Sequence, residues 1–205
     1  MEVFMKRLFV ILFACAFVFA FVSLSNAQHQ KTSWYIGFGI GSGSAEYEGD
    51  SLEDNAEAWG IDDADATTTI TLNFGVGAIL NPRLHFGFDI SALRESVESD
   101  FYDAELSTQI NNYLLAATFF PAGEGLSLKG GVGLCALVYQ VDAPGYDEDD
   151  TYGGWAYLIG AGYQFWLGEH FNLGIHLEYS HQSYNDDDAP DDTDFINVYV
   201  SFYWF

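Results

Sequence analysis

The chain has 205 residues, of which 49% are hydrophobic and 18% aromatic, and its 30 acids against 6 bases give a formal charge of −24. Its length suits one barrel or sandwich domain. Such an acid excess excludes nucleic acid as a partner, repels anionic headgroups and attracts divalent cations or basic partners. The first segment combines Lys6 and Arg7, an apolar run over 8–24 and the small-residue end Ser25-Asn26-Ala27. That order is a basic n-region, an h-region and a cleavage site. It predicts a secretory signal peptide over 1–27, cut after Ala27, and a mature domain over 28–205. The mature part keeps 4 bases and 29 acids, a formal charge of −25. It keeps one cysteine, Cys135, which excludes an intrachain disulfide and reads as a small buried filler.

Eight stretches of period two follow, the mark of strands with two different faces. Residues 34–43 set Trp34, Ile36, Phe38 and Ile40 against Gly37, Gly39 and Gly41. Residues 67–80 set Ile70, Leu72, Phe74, Val76 and Ala78 against Thr69, Thr71, Asn73, Gly75 and Gly77. After the turn signal Asn81-Pro82-Arg83, residues 84–93 set Leu84, Phe86, Phe88 and Ile90 against His85, Gly87, Asp89 and Ser91. The fourth stretch, 106–120, is the least regular, with Asn111-Asn112 interrupting it. Residues 126–139 oppose Leu128, Val132, Leu134 and Val138 to Ser127, Lys129, Gly131 and Cys135. Residues 154–167 oppose Trp155, Tyr157, Ile159, Tyr163 and Phe165 to Gly160, Gly162 and Gln164. Residues 171–184 oppose Phe171, Leu173, Ile175, Leu177 and Tyr179 to Asn172, Gly174, His176, Glu178 and Ser180. The last stretch, 195–205, carries Ile196, Val198, Val200, Phe202 and Trp204 on one face and Asn197, Tyr199, Ser201, Tyr203 and Phe205 on the other.

The connections alternate in kind. Those around Asn81, Gly123 and Glu169 are short. Those over 45–66, 95–105, 142–150 and 185–194 are longer and hold 25 of the 29 mature acids. An even strand count with short turns at one end and long loops at the other is the pattern of an outer-membrane barrel. A soluble barrel of the lipocalin type would put charges on its solvent face. Here the polar face is mostly Gly, Ser, Thr, Asn and Gln, with Asp89, Lys129 and Glu178 almost its only charges. That face suits an enclosed interior, and the apolar face then meets lipid. Trp34, Trp155, Tyr157, Phe165, Phe171, Tyr179, Phe202 and Trp204 lie near strand ends, as aromatic girdles require. The expected fold is an all-β, eight-stranded, antiparallel, up-and-down transmembrane β-barrel.

These features resemble the small outer-membrane β-barrel proteins of the OmpA/OmpX type. Leu128-Lys129-Gly130-Gly131-Val132-Gly133-Leu134 and Ile159-Gly160-Ala161-Gly162-Tyr163-Gln164-Phe165 resemble its porin-family members in particular. The resemblance covers the whole mature chain and is one of pattern. It implies residence in a Gram-negative outer membrane, among lipid and lipopolysaccharide. It also implies an assembly signal at Tyr203 and Phe205, read by the barrel-assembly machinery. In the family Phe205 and its odd-numbered companions would face lipid, whereas here the even set is the more apolar.

Three constellations carry candidate chemistry. An eight-stranded barrel is just wide enough inside for side chains to fill. His85, Asp89, Lys129, His176 and Glu178 are therefore expected to form an interior polar network that plugs it, with Lys129 neutralising an acid. A narrow small-solute pore is the contrary reading. Asp186, Asp187, Asp188, Asp191 and Asp192, with the run Asp147-Glu148-Asp149-Asp150, are candidate ligands for divalent cations such as Ca²⁺. They lack the EF-hand spacing, and a solvated acidic surface is the plainer reading. Finally, parity places His181, Ser183 and Asp194 together on the outer face near the outer leaflet. Such a trio can perform acyl transfer, with Ser as nucleophile, His as base and the carboxylate as orienter. It resembles in part the PagL-type lipid A deacylases, whose motif is His-x-Ser-Asn with a later Glu. Tyr184 stands here in place of Asn, and Asp194 in place of Glu. No phosphate loop, zinc spacing or nucleotide fingerprint occurs, and no cofactor is implied. The expected role is a non-enzymatic structural or surface-interaction barrel with acidic extracellular loops. A lipid A acyl hydrolase is the alternative, and a pore comes third.

Overall fold

The computed structural model describes residues 33–52, 65–99, 104–143, 146–186 and 189–205. The expected signal peptide over 1–27 lies outside them. Eight strands follow in chain order: β1 (Trp34–Tyr47), β2 (Asp65–Asn81), β3 (Leu84–Ser99), β4 (Ala104–Phe119), β5 (Leu126–Ala143), β6 (Tyr146–Trp166), β7 (Phe171–Tyr184) and β8 (Asp192–Trp204). Each pairs antiparallel with the next, and β8 pairs with β1, so the sheet closes without edges in its membrane half. The expected eight-stranded barrel is the fold. Its short turns follow from local chemistry. The Asn81 side chain accepts the Arg83 N–H at 2.9 Å across the β2–β3 turn. In the β4–β5 turn, Gly123 and Gly125 take φ of 88° and 77°, a region that suits glycine.

The apolar parity faces outward. Phe38, Leu72, Phe88, Leu115, Ile159 and Val198 are all exposed. On β8 this outward run covers nine residues, 196–204, which matches the roughly 9–11 that a tilted strand needs to cross a bilayer. Towards the long connections the outward positions turn polar, at Ser42, Arg94, Gln109 and Gln140. Aromatic pairs mark both borders. Phe171 stacks on Phe202 at 6.0 Å by the short turns, while Tyr157 lies 6.2 Å from Trp155 and 6.4 Å from Tyr179 at the other border. The β8 faces are thereby assigned. Ile196, Val198, Val200, Phe202 and Trp204 point out, whereas Phe195, Asn197, Tyr199, Ser201 and Phe205 are buried. Phe205, expected from the resemblance to face lipid, instead packs inside against Trp166 at 5.1 Å, His85 at 5.8 Å and Tyr35 at 6.5 Å. Its partner in the expected signal, Tyr203, also turns inward, 6.0 Å from Tyr35.

The strands run further towards the long connections than their composition suggests. β3 extends to Ser99, β5 to Ala143, and β6 begins at Tyr146. Asp147 to Asp150, read above as part of a loop, therefore pair in register with Asp142 to Tyr139 on β5. Glu95 likewise belongs to β3, where it pairs with Thr108. Low intrinsic β-propensity of acids is overridden here by the ladder to a neighbouring strand.

The interior is layered, and polar side chains like those expected there fill only part of it. By the short turns sits an aromatic layer of Tyr35, His85, Phe120, Tyr203 and Phe205. An ionic layer follows. Above it Asn112 bridges Ser91 and Ser180, each at 3.3 Å, and Gln182 donates to Asn112 at 3.2 Å and to Ser180 at 2.8 Å. Towards the long connections the lumen is apolar, filled by Leu93, Val97, Leu106, Ile110, Leu137 and Phe195. Cys135 is buried in this region as a free thiol. Alternation seen over 84–93 and 126–139 covers mostly the polar half of the inward face, so the apolar half escaped it. Glu95 enters that half with partners of its own: it accepts the Ala45 N–H at 3.1 Å, beside Tyr47, whose hydroxyl is 2.6 Å from that of Thr108.

Candidate functional site

The ionic layer is built by rows of glycine. The register aligns Lys129 on β5, Gly160 on β6 and Glu178 on β7 in one row. A Cβ on Gly160 would lie 2.6 Å from the Glu178 Cγ, so the missing side chain is what lets Lys129 and Glu178 meet above β6. Asp89 arrives from another wall, in a row that continues through Gly75 and Gly37. The Lys129 Nζ stands 2.8 Å from Asp89 Oδ2 and 2.9 Å from Glu178 Oε1, and all three side chains are buried. The Tyr199 hydroxyl donates to the same Glu178 oxygen at 2.6 Å. One cation thus ties two acids from strands on different sides of the lumen. Burying an ion costs several kcal/mol, which only such multiple pairing offsets. What the arrangement does chemically is cross-link the wall.

The two inward histidines do not join this cluster alike. His176 stacks on Tyr199 at 4.9 Å and shares a 2.8 Å hydrogen bond with Ser201. His85 lies in the aromatic layer instead, 4.6 Å from Phe120. Tyr199 was not singled out from the sequence. Its signal was available: it sits on the same β8 parity as Asn197 and Ser201, and an inward tyrosine needs a partner for its hydroxyl.

The second constellation lies on the outer face, just above the apolar band. His181 and Asp194 are directly opposed on β7 and β8, and Ser183 opposes Asp192 at the next outward position. His181 Nδ1 is 2.9 Å from Asp194 Oδ1, and that oxygen also accepts the Tyr179 hydroxyl at 2.6 Å. Tyr157 packs on the imidazole at 5.2 Å and Trp155 reaches it edge-on at 6.4 Å. The structure therefore joins His181 to Asp194. It leaves the Ser183 hydroxyl without a hydrogen bond to either among the described residues. Tyr184 is buried on the opposite face and supplies no donor beside Ser183. Tyr179 is the member that sequence reasoning missed as a functional group, because it read there only as part of a girdle.

Of the candidate cation ligands, Asp187 and Asp188 lie outside the described residues. Asp186 and Asp191 are exposed and Asp192 half-buried. Among the described residues no group of three His, Cys, Asp or Glu is arranged to hold a metal ion.

A model of the family described as outer membrane protein beta-barrel domain matches residues 13–203. The chain belongs to this family. Among solved structures, Neisserial surface protein A is similar with a TM-score of 0.52 at 14% identity, over 84% of this chain and 97% of that one. Ail, the attachment invasion locus protein of Yersinia pestis, is similar with a TM-score of 0.52 at 16% identity, over 85% of this chain and 100% of that one. These identities speak for the fold alone. A search of curated proteins finds no match. The outward apolar band has its solvent in the lipid of the outer membrane, and the barrel is an outer-membrane protein.

Proposed function

We propose that this outer-membrane barrel is a closed, non-catalytic one that presents an acidic surface to the exterior. The observation that carries the reading is the Lys129 bridge, which spans the lumen between Asp89 and Glu178. Aromatic side chains lie on one side of it, and on the other come the bonded Asn112–Gln182 amides and then apolar side chains, so an ion crossing would have to break the bridge and pass both. The protein reaches its membrane through the signal peptide over 1–27, and Tyr203 and Phe205 belong to the signal that the assembly machinery reads. Its exterior attracts cations and basic partners. A second Ail structure is a complex with the heparin analogue sucrose octasulfate. A chain with 29 mature acids against 4 bases favours ligands of the opposite charge. In a planar lipid bilayer the purified barrel is expected to leave the membrane non-conducting at neutral pH. Discrete channel openings would make the pore reading the correct one.

A second reading is favoured by the His181–Asp194 pair. In it Ser183 Oγ attacks an acyl ester carbonyl of lipopolysaccharide, His181 Nε2 takes the serine proton, and Asp194 holds the Nδ1–H. The alcohol then leaves with that proton, and water releases the acid from the acyl-serine. The test is mass spectrometry of lipid A from membranes carrying the natural chain or a Ser183→Ala variant. Identical lipid A is the outcome expected of a non-catalytic barrel. Loss of one acyl group with the natural chain alone would establish the hydrolase.

A further inference from the structure

The net charge of the chain repels anionic headgroups, so a base that faces them is a local exception. The mature chain has four bases. Lys31 lies outside the described residues, Arg83 sits in the β2–β3 turn, and Lys129 is held in the lumen. Arg94 is the fourth. On β3 the outward positions from Leu84 to Ala92 are apolar, and Arg94 is the next of them, exposed just past the band. An outward arginine costs little there, because the strand has reached headgroup depth. Among the described residues no acid pairs with Arg94. Its register partners are Ile70 on β2 and Gln109 on β4. The Gln109 amide donates to the Asn111 oxygen at 2.9 Å, which leaves the Asn111 N–H groups for a ligand. Ser96, Ser107 and Gln140 continue the same neighbourhood, polar and uncharged.

The far side of the barrel is unlike it at this depth. There Glu46 on β1 opposes Asp194 on β8 on the outer face, and His181 follows on β7. A lipid phosphate arriving on that side meets two carboxylates; on the β3–β4 side it meets a guanidinium. The planar guanidinium pairs with phosphate through two parallel N–H···O bonds. We infer that Arg94 binds a phosphate of the lipopolysaccharide headgroup, with Gln109 and Asn111 beside it for the sugar hydroxyls. A phosphorylated sugar suits the site better than a glycerol phosphate, because its hydroxyls give the two amides a partner. This rests on the reading that the long connections lie outside the cell, which puts Arg94 in the outer leaflet.

The test is native mass spectrometry of the full barrel released from detergent with purified lipid A. The natural barrel is expected to retain one lipid A molecule. Arg94→Gln is expected to retain roughly tenfold less, the loss of one charge-assisted bidentate contact, and Arg94→Lys an intermediate amount. Glu46→Gln, on the far side, is expected to change nothing. Gel mobility of the unheated variants shows that they are folded. Lipid A stripped of its phosphates should be retained no better by the natural barrel than by Arg94→Gln. Equal retention by the natural barrel and Arg94→Gln would overturn the inference, as would full retention of the stripped lipid or no retention at all. Equal retention of phosphatidylglycerol would make the site one for any lipid phosphate and overturn the choice of lipopolysaccharide. An Asp149→Cys variant exposed to a membrane-impermeant maleimide on intact cells checks the orientation separately. Labelling without lipid A retention sinks the Arg94 site alone. Absence of labelling sinks the outward placement on which it rests.

Discussion

Replacing Lys129 with methionine is expected to cost the folded barrel about 3–5 kcal/mol, the usual result of removing one partner from a buried ion pair. The size follows from what remains. Asp89 Oδ2 and Glu178 Oε1, now 2.8 and 2.9 Å from the ammonium, would face each other across a lumen that keeps them from water. Urea titration of the barrel in lipid vesicles, followed by tryptophan fluorescence, measures this directly. A loss below about 1 kcal/mol, the range of exposed pairs, would mean that water reaches the cluster and that the closed-lumen reading fails. A compensated variant sharpens the result. Lys129→Met combined with Asp89→Asn and Glu178→Gln removes all three charges at nearly constant volume, and most of the lost stability is expected to return. Buried ion networks replaced as a unit by neutral groups of similar shape are often no less stable than the original.

Val132→Arg is expected to destabilise by about 2–4 kcal/mol, and Gln140→Arg by no more than about 1 kcal/mol. The two residues share the outward face of β5, four pleats apart. Val132 is 64% exposed yet sits midway along the apolar band, where the surroundings are hydrocarbon. Gln140 lies past the band's end, where arginine finds water and headgroups. The same urea titration compares them. Equal costs at both positions would contradict the placement of the bilayer along the barrel. The result would also separate this barrel from a soluble one, in which an exposed arginine at either site is harmless.

How far each feature was legible depended on its range. The outward faces of β1, β2 and β8 were legible because strict alternation needs only the pleat of a single strand. The far ends of β3, β5 and β6 were not, because Asp and Glu there look like loop residues until a neighbour offers them a ladder. That error hid Glu95, counted as a loop acid, and with it Val97 of the apolar upper lumen. Asn111-Asn112 illustrates the same limit. It broke the apparent pattern of β4, yet Asn112 is an inward hub bonded to Ser91 and Ser180. Phe205 shows the opposite hazard, a family habit carried to a chain whose parity differs by one. A one-residue slip in a strand exchanges its two faces entirely, so the buried ring of Phe205 follows from the parity of Ile196 to Trp204.

Membership of a lipid-facing barrel was thus determined by the sequence itself. Eight alternating stretches, unequal connections and a polar face nearly free of charge are local properties, and local sterics are enough to read them. Which side chains meet was decided only by the tertiary structure. Lys129, Asp89 and Glu178 lie far apart in the chain, and it is the closed antiparallel register, with glycine at position 160, that brings them within bonding distance. The same register opposes His181 to Asp194 and sets Ser183 one step beyond them. Hydrogen-bond ladders between distant strands carry that information, and no single strand contains it.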